Sequence, residues 1–115
     1  MIRTAIAQIP FVATFLIAVF IGVTTLTPPS EGGEPLPIPD KLAHLIAFLV
    51  LVLPLGLASI SYMRWLAPVA LFYGGAIELI QPSFGRSAEW ADFAADAVGI
   101  ILGLAICWIW ALVRG

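Results

Sequence analysis

Charged residues are scarce in this sequence. Only 10% of its 115 residues are Asp, Glu, Lys or Arg, against about 25% in soluble domains, and 62% are hydrophobic. A soluble fold of this length cannot bury so much apolar surface, so the composition predicts an integral membrane protein with one domain over residues 1–115. The net charge of −2 offers no basic surface, so no nucleic-acid partner is predicted.

Cysteine and histidine occur once each, and the common catalytic motifs are missing. Cys107 has no second cysteine with which to form a disulfide in the chain, and its apolar surroundings predict a packing role. The sequence contains no GxSxG elbow, no HExxH and no phosphate-binding P-loop. Any chemistry must therefore depend on His44 and the few acidic residues, and no cofactor is predicted.

Four apolar runs are long enough, or nearly so, to cross the hydrocarbon core, which takes about 20 residues. The sequence thus predicts an all-α, four-helix transmembrane bundle with spans over residues 5–26, 42–60, 65–81 and 91–113. The first run exceeds the apolar stretch of a signal peptide, so we expect a retained helix. Loops are predicted over residues 27–41, which are rich in proline, and over 82–90, which begin with the helix-ending Pro82.

The few basic residues give the expected orientation. Arg3, Arg64 and Arg114 fall on one side of the four spans, whereas Lys41 and Arg86 fall on the other. Cytoplasmic loops carry an excess of Lys and Arg, so both termini are predicted to be cytoplasmic and the loops 27–41 and 82–90 to lie outside. The chain is therefore expected to be a multi-pass membrane protein.

Polar side chains are concentrated where the second span begins, the third ends and the fourth begins. With four alternating spans these three points meet at one surface. The candidates there are Asp40, Lys41, His44, Glu78, Gln81, Arg86, Asp92 and Asp96. Glu78 and Asp96 lie about one turn inside their helices, where a carboxylate facing lipid would cost several kcal/mol. We therefore expect them to face the bundle interior.

Small residues continue the same helix faces. Asp92, Asp96, Gly99 and Gly103 share one stripe of the fourth helix, and Ala70, Gly74 and Glu78 share one stripe of the third. Glycines four residues apart allow close helix approach, so we expect these two helices to pack tightly below a polar pocket. A homo-oligomer through Gly99 and Gly103 is a further prediction.

The order of these residues resembles the VanZ-like family of small bacterial membrane proteins. The motifs are Asp40-Lys41-x-x-His44-x-x-x-Phe48, Glu78-x-x-Gln81, Arg86, and Asp92-x-x-x-Asp96-x-x-Gly99-x-x-x-Gly103. They run from about residue 40 to 103. The resemblance implies a multi-helix protein of the bacterial inner membrane, with functional residues on the outer side and a link to resistance against teicoplanin-type glycopeptides. Many family members have asparagine at the position of Asp96, and the family brings no established reaction.

The leading functional hypothesis is an outer-leaflet site for membrane lipids or lipid-linked envelope precursors. Arg86 and Lys41 would engage phosphate, with Asp40 and Gln81 as further ligand-binding residues. His44, Glu78, Asp92 and Asp96 are the catalytic candidates, since imidazole and carboxylates can exchange protons near neutral pH. Binding without chemistry fits the same residues, so whether the protein is an enzyme stays open.

Three alternatives remain open from the sequence. His44, Glu78, Asp92 and Asp96 would together suit a divalent cation, although their spacing does not enforce a metal site. Proton translocation would also use buried acids and a histidine, but no ionisable residue continues the path toward the other side. In the third alternative, the main competitor, the protein is a structural or regulatory subunit whose polar cluster only holds the helices together.

Overall fold

The computed structural model describes residues 2–26, 40–84 and 90–114, nearly all of them helical. The four helices are α1 (Ile2–Leu26), α2 (Asp40–Ala58), α3 (Met63–Ile80) and α4 (Trp90–Arg114). Short 3₁₀ turns over Ile60–Tyr62 and Gln81–Phe84 precede and follow α3. The four predicted helices are therefore confirmed, and their ends differ from those of the expected spans by at most three residues. α3 ends at Ile80, two residues before Pro82, and Pro82 lies inside the second 3₁₀ turn.

Successive helices run in opposite directions. α1 and α3 end, and α2 and α4 begin, at one end of the bundle, which we call the polar end. A hydrogen bond from the Gln81 Nε2 amide to the Thr25 carbonyl oxygen (3.1 Å) ties the last turn of α1 to the turn after α3 there. At the opposite end the Phe11 and Tyr62 rings meet edge to face, with centroids 5.2 Å apart. The arrangement brings three short polar segments of the sequence together.

The outer surface of the bundle is apolar. All four helices are long and apolar enough to cross a membrane, and most of their large hydrophobic side chains face outward. α1 shows this most clearly, because only Thr14 and Ile21 are buried along its 25 residues. So much exposed hydrocarbon is unfavourable in water but is solvated by lipid tails. The chain is a four-helix transmembrane bundle.

The glycine stripe of α4 faces α2. A Cβ atom at Gly99 would overlap the backbone carbonyl oxygen of Leu45, and one at Gly103 would overlap the Val52 side chain. α4 thus approaches α2 more closely than α3, which corrects the expectation that this stripe packs on α3. Gly74 on α3 does face α4, where it contacts the Asp96 side chain. A homo-oligomer that used Gly99 and Gly103 stays a prediction, and it would have to displace α2.

Candidate functional site

Five polar side chains are buried together at the polar end. His44, Glu78, Gln81, Asp92 and Asp96 are each at most 6% exposed. They come from α2, from the end of α3 with its following turn, and from the first two turns of α4. At about 1.5 Å per residue, Asp96 lies about 9 Å along the helix axis from the start of α4. The sequence prediction that these acids face inward is confirmed.

The contact between His44 and Asp96 is the centre of the cluster. His44 Nδ1 lies 2.8 Å from Asp96 Oδ1, a hydrogen-bonding distance that links α2 to α4 across 52 positions of sequence. The second carboxylate oxygen of Asp96 lies against the backbone of α3. A Cβ atom at Gly74 would be 2.8 Å from that oxygen, so the absence of a side chain at Gly74 makes room for it. Asp96 therefore touches both neighbouring helices.

Asp92 and Lys41 form the rim of the cluster. Asp92 lies in the first turn of α4, where the helix dipole favours a negative charge, and is only 4% exposed. Its Oδ1 atom is 3.7 Å from Lys41 Nζ, and the Lys41 side chain is 53% exposed. Its Oδ2 atom is 3.8 Å from His44 Nε2, beyond hydrogen-bonding distance. The side chains of the cluster are thus buried in its interior, and the exposed Lys41 lies at its outer edge.

Glu78 completes the interior on the side of α3. It is 2% exposed, and one of its carboxylate oxygens lies within 4.8 Å of ligand atoms from both His44 and Asp96. Three helices therefore place one carboxylate, one imidazole and a second carboxylate around a common point. This convergence of α2, α3 and α4 confirms the predicted juxtaposition of the three sequence segments.

Two buried hydrogen-bond acceptors of the cluster have no donor among the described residues. His44 Nδ1 lies within hydrogen-bonding distance of Asp96 Oδ1 only, and one N–H of the Gln81 amide donates to Thr25. Among the residues that the structure describes, Asp96 Oδ2 and Gln81 Oε1 are buried without a hydrogen-bond partner. A buried acceptor left unsatisfied costs about 1–3 kcal/mol. The cluster therefore favours a partner that donates hydrogen bonds or carries positive charge.

Two of the predicted site residues cannot be placed in this geometry. Arg86 and the side chain of Asp40 lie outside the part of the chain that the structure describes. The sequence in turn missed a neighbour, because it gave no reason to expect Thr25 of α1 beside Gln81. The tryptophans Trp65, Trp90, Trp108 and Trp110 are all at least 44% exposed and lie near helix ends. They have the positions of interfacial aromatics.

No protein-family model, no curated protein and no solved structure matches this chain. The resemblance to the VanZ-like family therefore stays a prediction.

Proposed function

We propose that this protein binds the polar headgroup of a membrane lipid, or of a lipid-linked envelope precursor, at the polar end of the bundle. The observation that carries the proposal is that Asp96 Oδ2 and Gln81 Oε1 are buried and accept no hydrogen bond from the described residues. Buried ionic groups are weak evidence for stability, because apolar replacements are often as stable, and intramembrane ionisable residues usually serve a function. A ligand with N–H or O–H donors would satisfy these oxygens.

The headgroup chemistry follows from the order of the residues along the cluster. Lys41, at the surface, would bind a phosphate, while amine or hydroxyl groups of the same ligand would donate to Asp92 and to the acids behind it. Should the ligand also be modified, the hydrogen-bonded pair of His44 and Asp96 would be the general base or acid. By its resemblance to the VanZ-like family, the protein would act in the bacterial cell envelope and affect susceptibility to teicoplanin-type glycopeptides.

We place the polar end at the outer leaflet of the inner membrane. Arg3, Arg64 and Arg114 lie on helices at the opposite end, and the side richer in Lys and Arg is usually cytoplasmic. An outer site fits a ligand that belongs to the envelope.

This orientation predicts which of two matched serines can be labelled from outside the cell. Ser83 is exposed at the polar end, and Ser61 is exposed at the opposite end. In intact cells, a membrane-impermeant maleimide should label Ser83→Cys, whereas Ser61→Cys should react only after the membrane is permeabilised. Cys107 can stay in both variants because it is completely buried. The reverse labelling pattern would place the site on the cytoplasmic side.

The proposal predicts a preference between two zwitterionic lipids that differ in their donors. The ammonium of phosphatidylethanolamine donates N–H groups, whereas the quaternary ammonium of phosphatidylcholine donates none. Charge-assisted hydrogen bonds contribute about 1.5–3 kcal/mol each, so we expect short-chain phosphatidylethanolamine to bind about tenfold more tightly or better. The measurement is a calorimetric titration of the purified protein in detergent with each lipid. Equal affinity for the two lipids would contradict the proposal.

The competing function is a scaffold, favoured by the way that the pair of His44 and Asp96 joins α2 to α4. Glu78→Gln and Asp96→Asn distinguish the two functions, because both changes remove a charge and keep the side-chain shape. A binding site should lose lipid affinity and the envelope or teicoplanin phenotype in Glu78→Gln while membrane levels of folded protein stay normal. If abundance and phenotype fall together, the scaffold function is correct. Asp96→Asn introduces the residue that many VanZ-like proteins carry, so a scaffold should tolerate it.

A further inference from the structure

The interior of the cluster has the ligand set of a metal site. His44, Glu78 and Asp96 each present one ligand atom, and these three atoms all lie within 4.8 Å of one another. All three residues are buried, and each comes from a different helix. Neighbouring ligands of a tetrahedral ion with bonds of about 2.1 Å are about 3.4 Å apart, so side-chain adjustments of about 1–1.5 Å bring all three atoms into coordination.

A cation would replace the proton that His44 and Asp96 share. His44 Nδ1 and Asp96 Oδ1 are 2.8 Å apart as a hydrogen-bonded pair, and as two ligands of one tetrahedral ion they would be about 3.4 Å apart. If Nδ1 coordinates the ion, His44 Nε2 carries the proton and faces Asp92 Oδ2 at 3.8 Å. A carboxylate near the second imidazole nitrogen is the usual support of a metal-binding histidine.

A second observation points to a cation at this position. Asp96 Oδ2 is buried and accepts no hydrogen bond from the described residues, although Asp96 is only 1% exposed. This oxygen lies against Gly74, one turn before Glu78 on the same face of α3. It is therefore directed toward the helix that carries the third ligand.

We infer that His44, Glu78 and Asp96 bind one divalent cation of the Zn²⁺ or Mn²⁺ type. Imidazole favours Zn²⁺ and carboxylates favour Mn²⁺, so the mixed set fits both better than Mg²⁺ or Ca²⁺. The soft ligand Cys107 plays no part, because it packs against Gly56 on the half of α2 remote from His44. This inference rests on the proposed function only in treating the cluster as a ligand site. The cation would sit behind Asp92 and Lys41, so Asp92 would remain the acceptor for the amine of a bound headgroup.

The test uses the purified full-length chain in detergent after treatment with a chelator. Calorimetric titration with Zn²⁺ and with Mn²⁺ should show one ion bound per chain. His44→Gln, Glu78→Gln and Asp96→Asn should each weaken binding by about 100-fold or more, and Asp92→Asn by about 10- to 100-fold, as for a supporting carboxylate. Cys107→Ala, which removes the only thiol, should leave the affinity unchanged. Absence of saturable binding, or binding lost in Cys107→Ala and retained in Glu78→Gln, would overturn the inference.

A second measurement needs no variant, in case the substitutions prevent folding. Co²⁺ added to the wild-type protein should give visible ligand-field bands that Zn²⁺ abolishes in competition. Absence of these bands would also overturn the inference.

The phosphatidylethanolamine titration, repeated with chelator, separates this inference from the proposed function. Lipid binding without any metal binding would reject only the metal site, whereas metal binding without lipid preference would reject only the headgroup function.

Discussion

Replacing His44 with leucine should destabilise the folded protein by about 3–5 kcal/mol, and replacing Asp96 with leucine should cost a similar amount. Each change removes one partner of a buried pair and leaves the other polar group without compensation. The His44→Leu/Asp96→Leu double variant should recover most of this loss, because apolar residues in place of a buried ion pair are often neutral or stabilising. The measurement is unfolding of the purified proteins in mixed micelles with a chelator present.

Thr14→Val provides the matched control for this cycle. It also removes a side-chain hydrogen bond between two helices, from the Thr14 hydroxyl to the Leu51 carbonyl oxygen at 3.1 Å, but no charge. Hydrogen bonds of this kind between membrane helices contribute about 0.6 kcal/mol on average. A double variant as unstable as the worse single variant would show that the pair itself holds α2 and α4 together.

The same double variant separates stability from function. If the polar cluster is a ligand site, the double variant folds normally but loses both its preference for phosphatidylethanolamine and its metal binding. If removing the polar pair makes the protein more stable but abolishes binding, the pair serves binding and not folding. That outcome would support the proposed function more directly than a phenotype in cells, where abundance also changes.

The sequence was sufficient to predict the helices. Their hydrophobic runs are long, and the solvent that they require is lipid, so hydropathy and length decide the assignment without tertiary information. The convergence of His44, Glu78 and Asp96 also followed, because alternation of four spans places their helix ends on one surface. The small residues beneath them correctly indicated a close helix approach.

The arrangement of the helices around the bundle could not be predicted from the same patterns. A stripe such as Gly99 and Gly103 shows that some helix comes close, but it does not identify that helix, which proved to be α2. The contact of Gln81 with Thr25 escaped prediction for the same reason, because α1 carries no charge near its end. Helix order depends on the shape match between whole surfaces, which one-dimensional periodicity does not contain.

Gly99→Ala should have the largest effect of the Gly→Ala changes at the glycines that the structure describes. The added Cβ atom would overlap the carbonyl oxygen of Leu45, and backbone cannot move aside as the end of a side chain can. Overpacking a tight contact typically costs about 1–3 kcal/mol, and we expect the upper part of this range or more. The measurement is the same unfolding titration, together with the yield of monodisperse protein after solubilisation.

Gly75→Ala is the control for Gly99→Ala. Its added Cβ atom would lie 3.2 Å from the edge of the Phe93 ring, a half-buried side chain that can shift by a few tenths of an ångström. We therefore expect a loss below about 1 kcal/mol from Gly75→Ala. Equal losses from the two variants would mean that α4 can move off α2 without penalty.

The close contact at Gly99 also matters for the site, because Leu45 follows His44 and Gly99 lies one turn after Asp96. The close approach at Gly99 sets the distance between α2 and α4 at the level of the polar pair, and hence the 2.8 Å between His44 Nδ1 and Asp96 Oδ1. Any Gly99→Ala protein that still folds should hold these atoms farther apart and bind the proposed metal ion and headgroup more weakly. Gly75→Ala should leave both activities intact, since its neighbour Phe93 is not a ligand. Weakened binding in Gly99→Ala alone would show that the glycine serves the site by fixing the spacing of the two helices.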